Sequence, residues 1–184
     1  AGGRPYVVGG AVRDNILDLP VKDWDVEVFG LSAERLQPIL VEHGRVDAVG
    51  QAFRVYKLSG VEGVEGAVDV ALPRRDSKVA PGHRGIAVEG DPGLSVEEAA
   101  GRRDFTVNAM AIRIDGDHFG ELLDPLNGQA DLEEKTIRVL HPHSFIDDPT
   151  RIFRALRYEA RYSFLLHPST SILVFRVGAQ GRGG

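Results

Sequence analysis

Near the N-terminus an apolar run, Tyr6-Val7-Val8, ends in Gly9-Gly10, and a short stretch later two carboxylates alternate with apolar residues in Asp23-Trp24-Asp25-Val26. Alternation is the period of a strand, and residues two apart on a strand share a face, so Asp23 and Asp25 present their carboxylates together. Two anions held side by side repel, and a cation between them relieves the repulsion. Oxygen ligands in such a pair suit Mg²⁺, which takes one or two protein carboxylates plus the oxygens of a phosphate substrate. The paired glycines open a predicted short helix over 10–18. There they leave backbone N–H groups unobstructed at the positive end of the helix dipole, a seat for phosphate. Strand, glycine turn, helix and carboxylate strand in this order predict an α/β chain that handles a metal and a phosphorylated ligand.

The next segments supply a third acid. Residues 24–29 read as the carboxylate strand. Ser32 fits the N-cap of a helix whose stripe of Leu36, Ile39 and Leu40 faces a core and which Gly44 ends. Residues 45–49 and 53–58 read as strands, Gly60 to Gly66 as a hairpin connection, and Val68-Asp69-Val70 as another alternating strand. Two metals sharing carboxylates are a common arrangement for phosphoryl transfer, and Asp69 on a neighbouring strand completes such a set. The alternative for Asp69 is the solvent face of an edge strand. Arg74-Arg75-Asp76-Ser77-Lys78 and Pro81-Gly82-His83-Arg84-Gly85 are polar, basic and rich in breakers, and read as a mobile loop. Residues 111–114 and 118–123 read as strands that turn at Asp115-Gly116-Asp117. His141 and His143 lack partners at metal-ligand spacing and read as loop.

Charge is placed unevenly. Beyond Thr150 there are six arginines against one acid, Glu159, a surplus of five positive charges that leaves the first 150 residues at −10. An acidic, metal-using body with a basic extension is suited to polyphosphate or RNA. The absence of cysteine excludes a disulfide framework and thiolate chemistry. No stretch approaches eighteen apolar residues, and Ala1-Gly2-Gly3-Arg4 does not read as a signal peptide, so a cytoplasmic protein without a membrane partner is expected.

The apolar-Gly-Gly turn followed by Asp-apolar-Asp-apolar resembles the signature of the DNA polymerase β nucleotidyltransferase superfamily. Val8-Gly9-Gly10-Ala11-Val12-Arg13-Asp14 is similar to the opening motif of the class II tRNA nucleotidyltransferase (CCA-adding) and bacterial poly(A) polymerase family. Two further motifs agree. Arg102-Arg103-Asp104-Phe105-Thr106-Val107-Asn108-Ala109 resembles the family's Arg-Arg-Asp-Phe-Thr-x-Asn-Ala. Asp147-Asp148-Pro149-Thr150-Arg151 resembles its Glu-Asp-x-x-Arg, with Asp147 in place of Glu. Asp124-Pro125-Leu126-Asn127-Gly128-Gln129-Ala130-Asp131-Leu132 is similar to an architectural segment of the same family. The resemblance covers about residues 5 to 168.

It implies a mixed, mainly antiparallel sheet of about five strands flanked by helices, forming a head over residues 1–140. The start of an α-helical neck with a Gly-rich tail follows over 141–184, and the family's C-terminal body and tail are absent. It further implies Mg²⁺-dependent attack of an RNA 3′-OH on the α-phosphate of CTP or ATP, with the 3′ end of tRNA as acceptor. A-adding, CC-adding and poly(A) activities share the same motifs, and a head that binds nucleotide without productive RNA catalysis is the alternative of another class.

The roles follow from chemistry at those positions. Asp23 and Asp25 would hold Mg²⁺, with Asp69 assisting. Gly9, Gly10, Arg13 and Arg103 would hold the phosphates, the planar guanidinium fork of Arg103 suiting phosphate oxygens. Asp104 would accept from the ribose 2′-OH, braced by Asn108 one helical turn on. Pro149 suits the first position of a helix that sets Asp148 and Arg151 one turn apart. Cytosine and adenine both offer an exocyclic amino donor beside a ring-nitrogen acceptor, which a carboxylate and a guanidinium match. Guanine and uracil reverse that pattern.

Overall fold

The computed structural model describes residues 2–49, 55–78 and 86–180. The stretch holding Pro81-Gly82-His83-Arg84-Gly85, and the first residues of the expected 53–58 strand, lie outside them.

The apolar run forms strand β1 (Arg4–Val8), and the glycine turn leads into helix α1 (Gly10–Ile16). The carboxylate strand is β2 (Trp24–Phe29), and α2 (Ala33–His43) follows, burying Leu36 and Leu40. Ser32 stands at its N-cap in extended conformation without a side-chain cap bond. Three strands come next: β3 (Arg45–Val49), β4 (Val55–Ser59) and β5 (Ala67–Ala71). Strand β4 pairs antiparallel with both β3 and β5, and β5 lies beside β2.

Residues expected in a loop are instead strand β6 (Arg74–Lys78), paired antiparallel with β7 (Ile86–Gly90). Its polar composition carries no strand period, and pairing with a partner supplies the order that local preference does not. Helix α3 (Val96–Ala100) starts in a reciprocal capping box. Ser95 Oγ accepts from the Glu98 N–H, and the Glu98 carboxylate accepts from the Ser95 N–H.

Strands β8 (Ala111–Arg113) and β9 (Leu122–Leu123) finish the main sheet. The second is shorter than the expected 118–123, because Gly116–His118 forms a 3-10 turn. The order is β3-β4-β5-β2-β1-β8-β9, seven strands among the described residues rather than about five. Every pairing in it is antiparallel except β2 with β5. The sheet is therefore mixed and mainly antiparallel, as the resemblance implied.

Its two faces differ. Val28 and Val70 pack under α2 with Leu36, Leu40, Tyr56 and Leu58, while Val7 packs with Val12 of α1. On the opposite face Tyr6, Val8 and Phe29 meet Leu94, Val96 and Ala99 at α3. That cover stops short of Asp25 and Asp69, and the uncovered part of this face is the candidate site.

The C-terminal elements are α4 (Gly128–Glu133), β10 (Thr136–Ile137), α5 (Ser144–Asp147), α6 (Thr150–Tyr162), β11 (Leu165–Leu166) and α7 (Pro168–Gln180). The helix beginning near Pro168 thus runs through residues 175–180, where a Gly-rich tail was expected. Asp124 caps α4 by accepting from the N–H groups of Gly128 and Gln129. Asp131 is a buried tie: it accepts from Thr106 Oγ1 and from Arg138, which also meets His167 Nε2 at 2.8 Å. Phe105, Val107, Phe145, Ala155, Tyr158 and Phe164 share one core with Val7 and Val12, so α5 and α6 pack directly on the sheet's helices. No described helix is long and apolar enough to cross a membrane.

Candidate active site

The one parallel pairing of the main sheet, among the described residues, builds the acidic part of the site. In the β2–β5 register Asp25 stands opposite Asp69, and partners in a parallel ladder present their side chains to the same face. Asp23 lies just before β2 and is exposed. Burial lifts the Asp25 carboxyl above its ordinary value; Arg103 pulls it down, and the carboxylates of Asp69, Asp23 and Glu27 push it up again. The three predicted acids thus share one electrostatic neighbourhood. Among the described residues no three His, Cys, Asp or Glu side chains form a metal cage by themselves. Mg²⁺ does not require one, since it keeps waters and substrate oxygens beside one or two carboxylates.

Facing the acids are arginines. A cavity of about 230 Å³ is bounded by Asp25, Glu27, Asp69, Arg74, Arg102 and Arg103, with Val8 and Leu72 among its apolar walls. It is smaller than the roughly 300–1,000 Å³ of pockets that enclose a whole ligand. Its volume and charge therefore suit the anionic end of a ligand rather than all of it. Arg103 Nη2 donates to Glu27 Oε1 at 2.9 Å, and Arg102 Nη2 donates to the same oxygen at 2.8 Å. Gly9 has φ +69°, a conformation that favours glycine, and a Cβ there would lie 2.8 Å from Arg103 Nη1. The glycine turn and the Arg103 guanidinium are in direct apposition.

Arg13 sits elsewhere. It was expected on the phosphates, yet its guanidinium is buried in a seam between α1 and α6. It donates to Asp14 Oδ1 at 2.8 Å and to Asn108 Oδ1 at 2.6 Å, and lies over the rings of Tyr158 and Tyr162 at 5.1 and 4.6 Å. It is not among the residues lining the cavity, and its Nη2 lies against the glycine turn, 3.3 Å from where a Cβ on Gly10 would stand. The physical reason is that Asp14, Asn108 and two aromatic faces together satisfy a buried guanidinium better than one open phosphate seat would.

Asp104 and Asn108 are both buried and joined, Asn108 Nδ2 donating to Asp104 Oδ1 at 2.9 Å. The expected α-helical turn is a 3-10 turn, Thr106–Asn108, with Asp104 just outside it. Asp104 Oδ1 also accepts the Phe105 N–H, and Oδ2 accepts Arg154 Nε at 2.7 Å. A ribose hydroxyl reaching Asp104 would share Oδ2 with Arg154.

Asp148 and Arg151 stand where α5 hands over to α6. Asp148 Oδ1 accepts from the Thr150 N–H and hydroxyl. Arg151 donates to Ser144 Oγ at 2.7 Å and to the Arg102 carbonyl at 3.2 Å, and its Nε lies 4.0 Å from Asp148 Oδ2. The contact with Arg102 brings this turn against the arginine wall of the cavity. The three motifs, far apart along the chain, meet through Glu27, Arg102, Arg103 and Arg151.

Glu27, Arg102 and Arg154 of this constellation were given no site role from sequence; Arg102 stood only as the neighbour of Arg103 in its motif. Glu27 continues the Asp23/Asp25 alternation by one more step on β2, and that period was the available signal. Arg154 follows Arg151 by one turn on the arginine face of α6, but which partner that face meets is not a local property.

Comparison with known proteins agrees with this arrangement. Residues 5–138 match the model of the poly A polymerase head domain. The multifunctional CCA protein of Thioalkalivibrio sulfidiphilus is 39% identical over 181 residues, covering 97% of this chain and 41% of that protein. A tRNA nucleotidyltransferase solved with a primer tRNA and an incoming ATP analog superposes with a TM-score of 0.80 at 37% identity, over 98% of this chain and 48% of the other. A tRNA-processing enzyme solved with CTP gives 0.80 and 37%, over 98% and 44%. The chain spans about two fifths of the length of the curated relatives it matches.

Proposed function

Because the chain belongs to the poly A polymerase head domain family, we propose that it is the catalytic head of a template-independent RNA nucleotidyltransferase. It adds CMP and AMP from CTP and ATP to the 3′ end of tRNA. The head comprises residues 1–140, and 141–184 begin the helical neck. The observation that carries this reading is the cavity in which Asp25 and Asp69, side by side on parallel strands, face Arg74, Arg102 and Arg103. Relatives described as CCA proteins, and solved structures holding tRNA, CTP or an ATP analog, support the choice of substrates. A cytoplasmic site of action goes with a tRNA substrate.

The acids fit a divalent cation. Asp25 is lifted by burial and by three neighbouring carboxylates, a surplus of negative charge that a cation would relieve. Mg²⁺ held by Asp23 and Asp25, with Asp69 assisting, would supply activation of the attacking 3′-OH and stabilisation of the leaving pyrophosphate. The protein's own part is positioning. Arg103, laid over Gly9, meets the phosphates with Arg102 beside it. Arg13 supports that turn from behind rather than touching the ligand. Asp104, braced by Asn108, receives the ribose.

Asp148 and Arg151 read the base. Asp148 Oδ2 accepts from the amino group of cytosine or adenine, and Arg151 donates to the ring nitrogen beside it. Guanine and uracil would leave both contacts unmade, at about 1–3 kcal/mol for each buried unsatisfied group. Asp148→Asn is accordingly expected to lower the preference for CTP and ATP over UTP and GTP by roughly 10- to 100-fold. Incorporation rates for the four nucleotides measure it. An equal fall for all four would remove Asp148 from base reading.

The test of the function is incubation with tRNA lacking its terminal CCA, Mg²⁺ and each labelled NTP in turn. C followed by A supports the proposal, and A alone or C alone would replace it with A-adding or CC-adding activity. A long run of A would assign poly(A) synthesis. Binding of nucleotide without incorporation would assign a nucleotide-binding head that does not catalyse transfer by itself.

A further inference from the structure

Glu27 is the third acid on the Asp25 side of β2, yet its surroundings differ from those of the other two. Asp23 is exposed and Asp25 still reaches solvent at the cavity wall although its carboxyl is partly desolvated there, whereas Glu27 is 6% exposed. One of its oxygens, Oε1, accepts from both Arg102 Nη2 and Arg103 Nη2, at 2.8 and 2.9 Å. Two like-charged guanidiniums from consecutive residues are thereby drawn to one point. Arg103 is held so that Nη1 lies against Gly9, 2.8 Å from the position a side chain would take there. Glu27, Arg102 and Arg103 line the cavity together with Asp69 and Arg74, and Arg103 connects them to Gly9 beside it.

A buried carboxylate shared by two arginines has two possible effects on an anionic ligand, and they have opposite signs. As a charge it weakens anion binding by cancelling part of the arginines' field. As a strut it strengthens binding, because arginine stems are long and rotamer-rich and their forks must be aimed before they can grip phosphate oxygens together. The geometry points to the strut: one buried oxygen sets the spacing of both guanidiniums and presses one of them onto the glycine turn. We infer that Glu27 is a positioning residue for the nucleotide's polyphosphate, holding Arg102 and Arg103 side by side with Arg103 over Gly9. The inference rests on the nucleotidyltransferase reading above.

The test is equilibrium titration of the whole chain with CTP, tripolyphosphate and CMP in Mg²⁺, comparing wild type with Glu27→Gln and Glu27→Asp. Glu27→Gln is expected to weaken CTP and tripolyphosphate by about 10-fold or more, the scale on which removing a residue that orients a ligating group acts. The loss is expected to be smaller for CMP. Glu27→Asp keeps the charge but is one methylene too short to reach both arginines, and is expected to show the same selective loss. Tighter or unchanged binding of tripolyphosphate in Glu27→Gln, or wild-type binding in Glu27→Asp, would overturn the inference. Circular dichroism checks that each variant is folded, and if Glu27→Gln is not, Glu27→Asp decides. A wild-type chain that binds tripolyphosphate but not CTP would overturn the nucleotide reading instead, and the comparison on tripolyphosphate would still decide the role of Glu27.

Discussion

Asp25→Asn is expected to lower nucleotide incorporation by at least about 10³-fold, the scale on which loss of a group acting at the reacting centre operates. It should do so without destabilising the metal-free protein. The first half follows from removing one of two candidate cation ligands at the point where the attacking oxygen and the α-phosphate must meet. The second half follows from linkage. Burial, outweighing the pull of Arg103 and aided by Asp69, Asp23 and Glu27, raises the Asp25 carboxyl above its value in the unfolded chain. A carboxyl raised in this way binds its proton more tightly when folded. Its contribution to stability is complete below the unfolded pKa and is lost as pH rises through the folded one. At neutral pH the native state therefore carries a charge it disfavours, and the neutral amide lifts that burden. Thermal melts without divalent cation, at neutral pH and near pH 4, measure it. The variant should melt at or above the wild-type temperature at neutral pH, with the difference shrinking in acid. A variant several degrees less stable at neutral pH would mean that Asp25 is a structural carboxylate.

Arg13→Ala is expected to cost about 3–5 kcal/mol of folding stability, the range for breaking one side of a buried ion pair. The Arg13 side chain is 5% exposed, and its guanidinium is paired with Asp14, is bonded to Asn108 and lies over the rings of Tyr158 and Tyr162. Removing it strands the Asp14 carboxylate with the Tyr162 hydroxyl and the more distant Arg161. It also releases Asn108 from one of the bonds that fix it. Urea denaturation reads the loss as a lower midpoint at unchanged slope. Arg13→Lys restores the charge but neither the fork nor the flat stacking surface, so it should recover only part of the stability. A cost below about 1 kcal/mol for Arg13→Ala, the scale of exposed pairs, would mean that the seam is not what holds α6 in place.

What could be read from the sequence follows from how far each signal reaches. The alternation in Asp23-Trp24-Asp25 and the glycine pair are local, and both elements formed where expected. The β2–β5 pairing is not local, but Val68-Asp69-Val70 repeats the same period, so a third acid on a neighbouring strand could be anticipated. Arg13 shows the limit. Its position in the first turn after Gly9-Gly10 is local, whereas the groups that turn it inward, Asn108, Tyr158 and Tyr162, lie far along the chain. Strand β6 shows another: Arg74 to Lys78 have no apolar alternation, and their extended state comes from β7. The Asp104 motif was legible, but not the Arg154 bond that occupies one of its oxygens, because a helical wheel groups arginines without saying what they face.

The lone parallel pairing in an otherwise antiparallel sheet separates two design problems. Where Asp69 stands relative to Asp25 depends on how β5 docks along β2, and not on the path from Gly30 to Gly66 that delivers it. Homologues should therefore vary freely in the length of that excursion. A one-residue slip of β5 would turn Asp69 toward α2 and the buried valines and carry Val70 out of the core, so packing under α2 fixes the register that sets Asp69 beside Asp25. Folding and activity depend on the same register at this one junction, and a variant with an inserted residue inside β5 is expected to lose stability as well as activity.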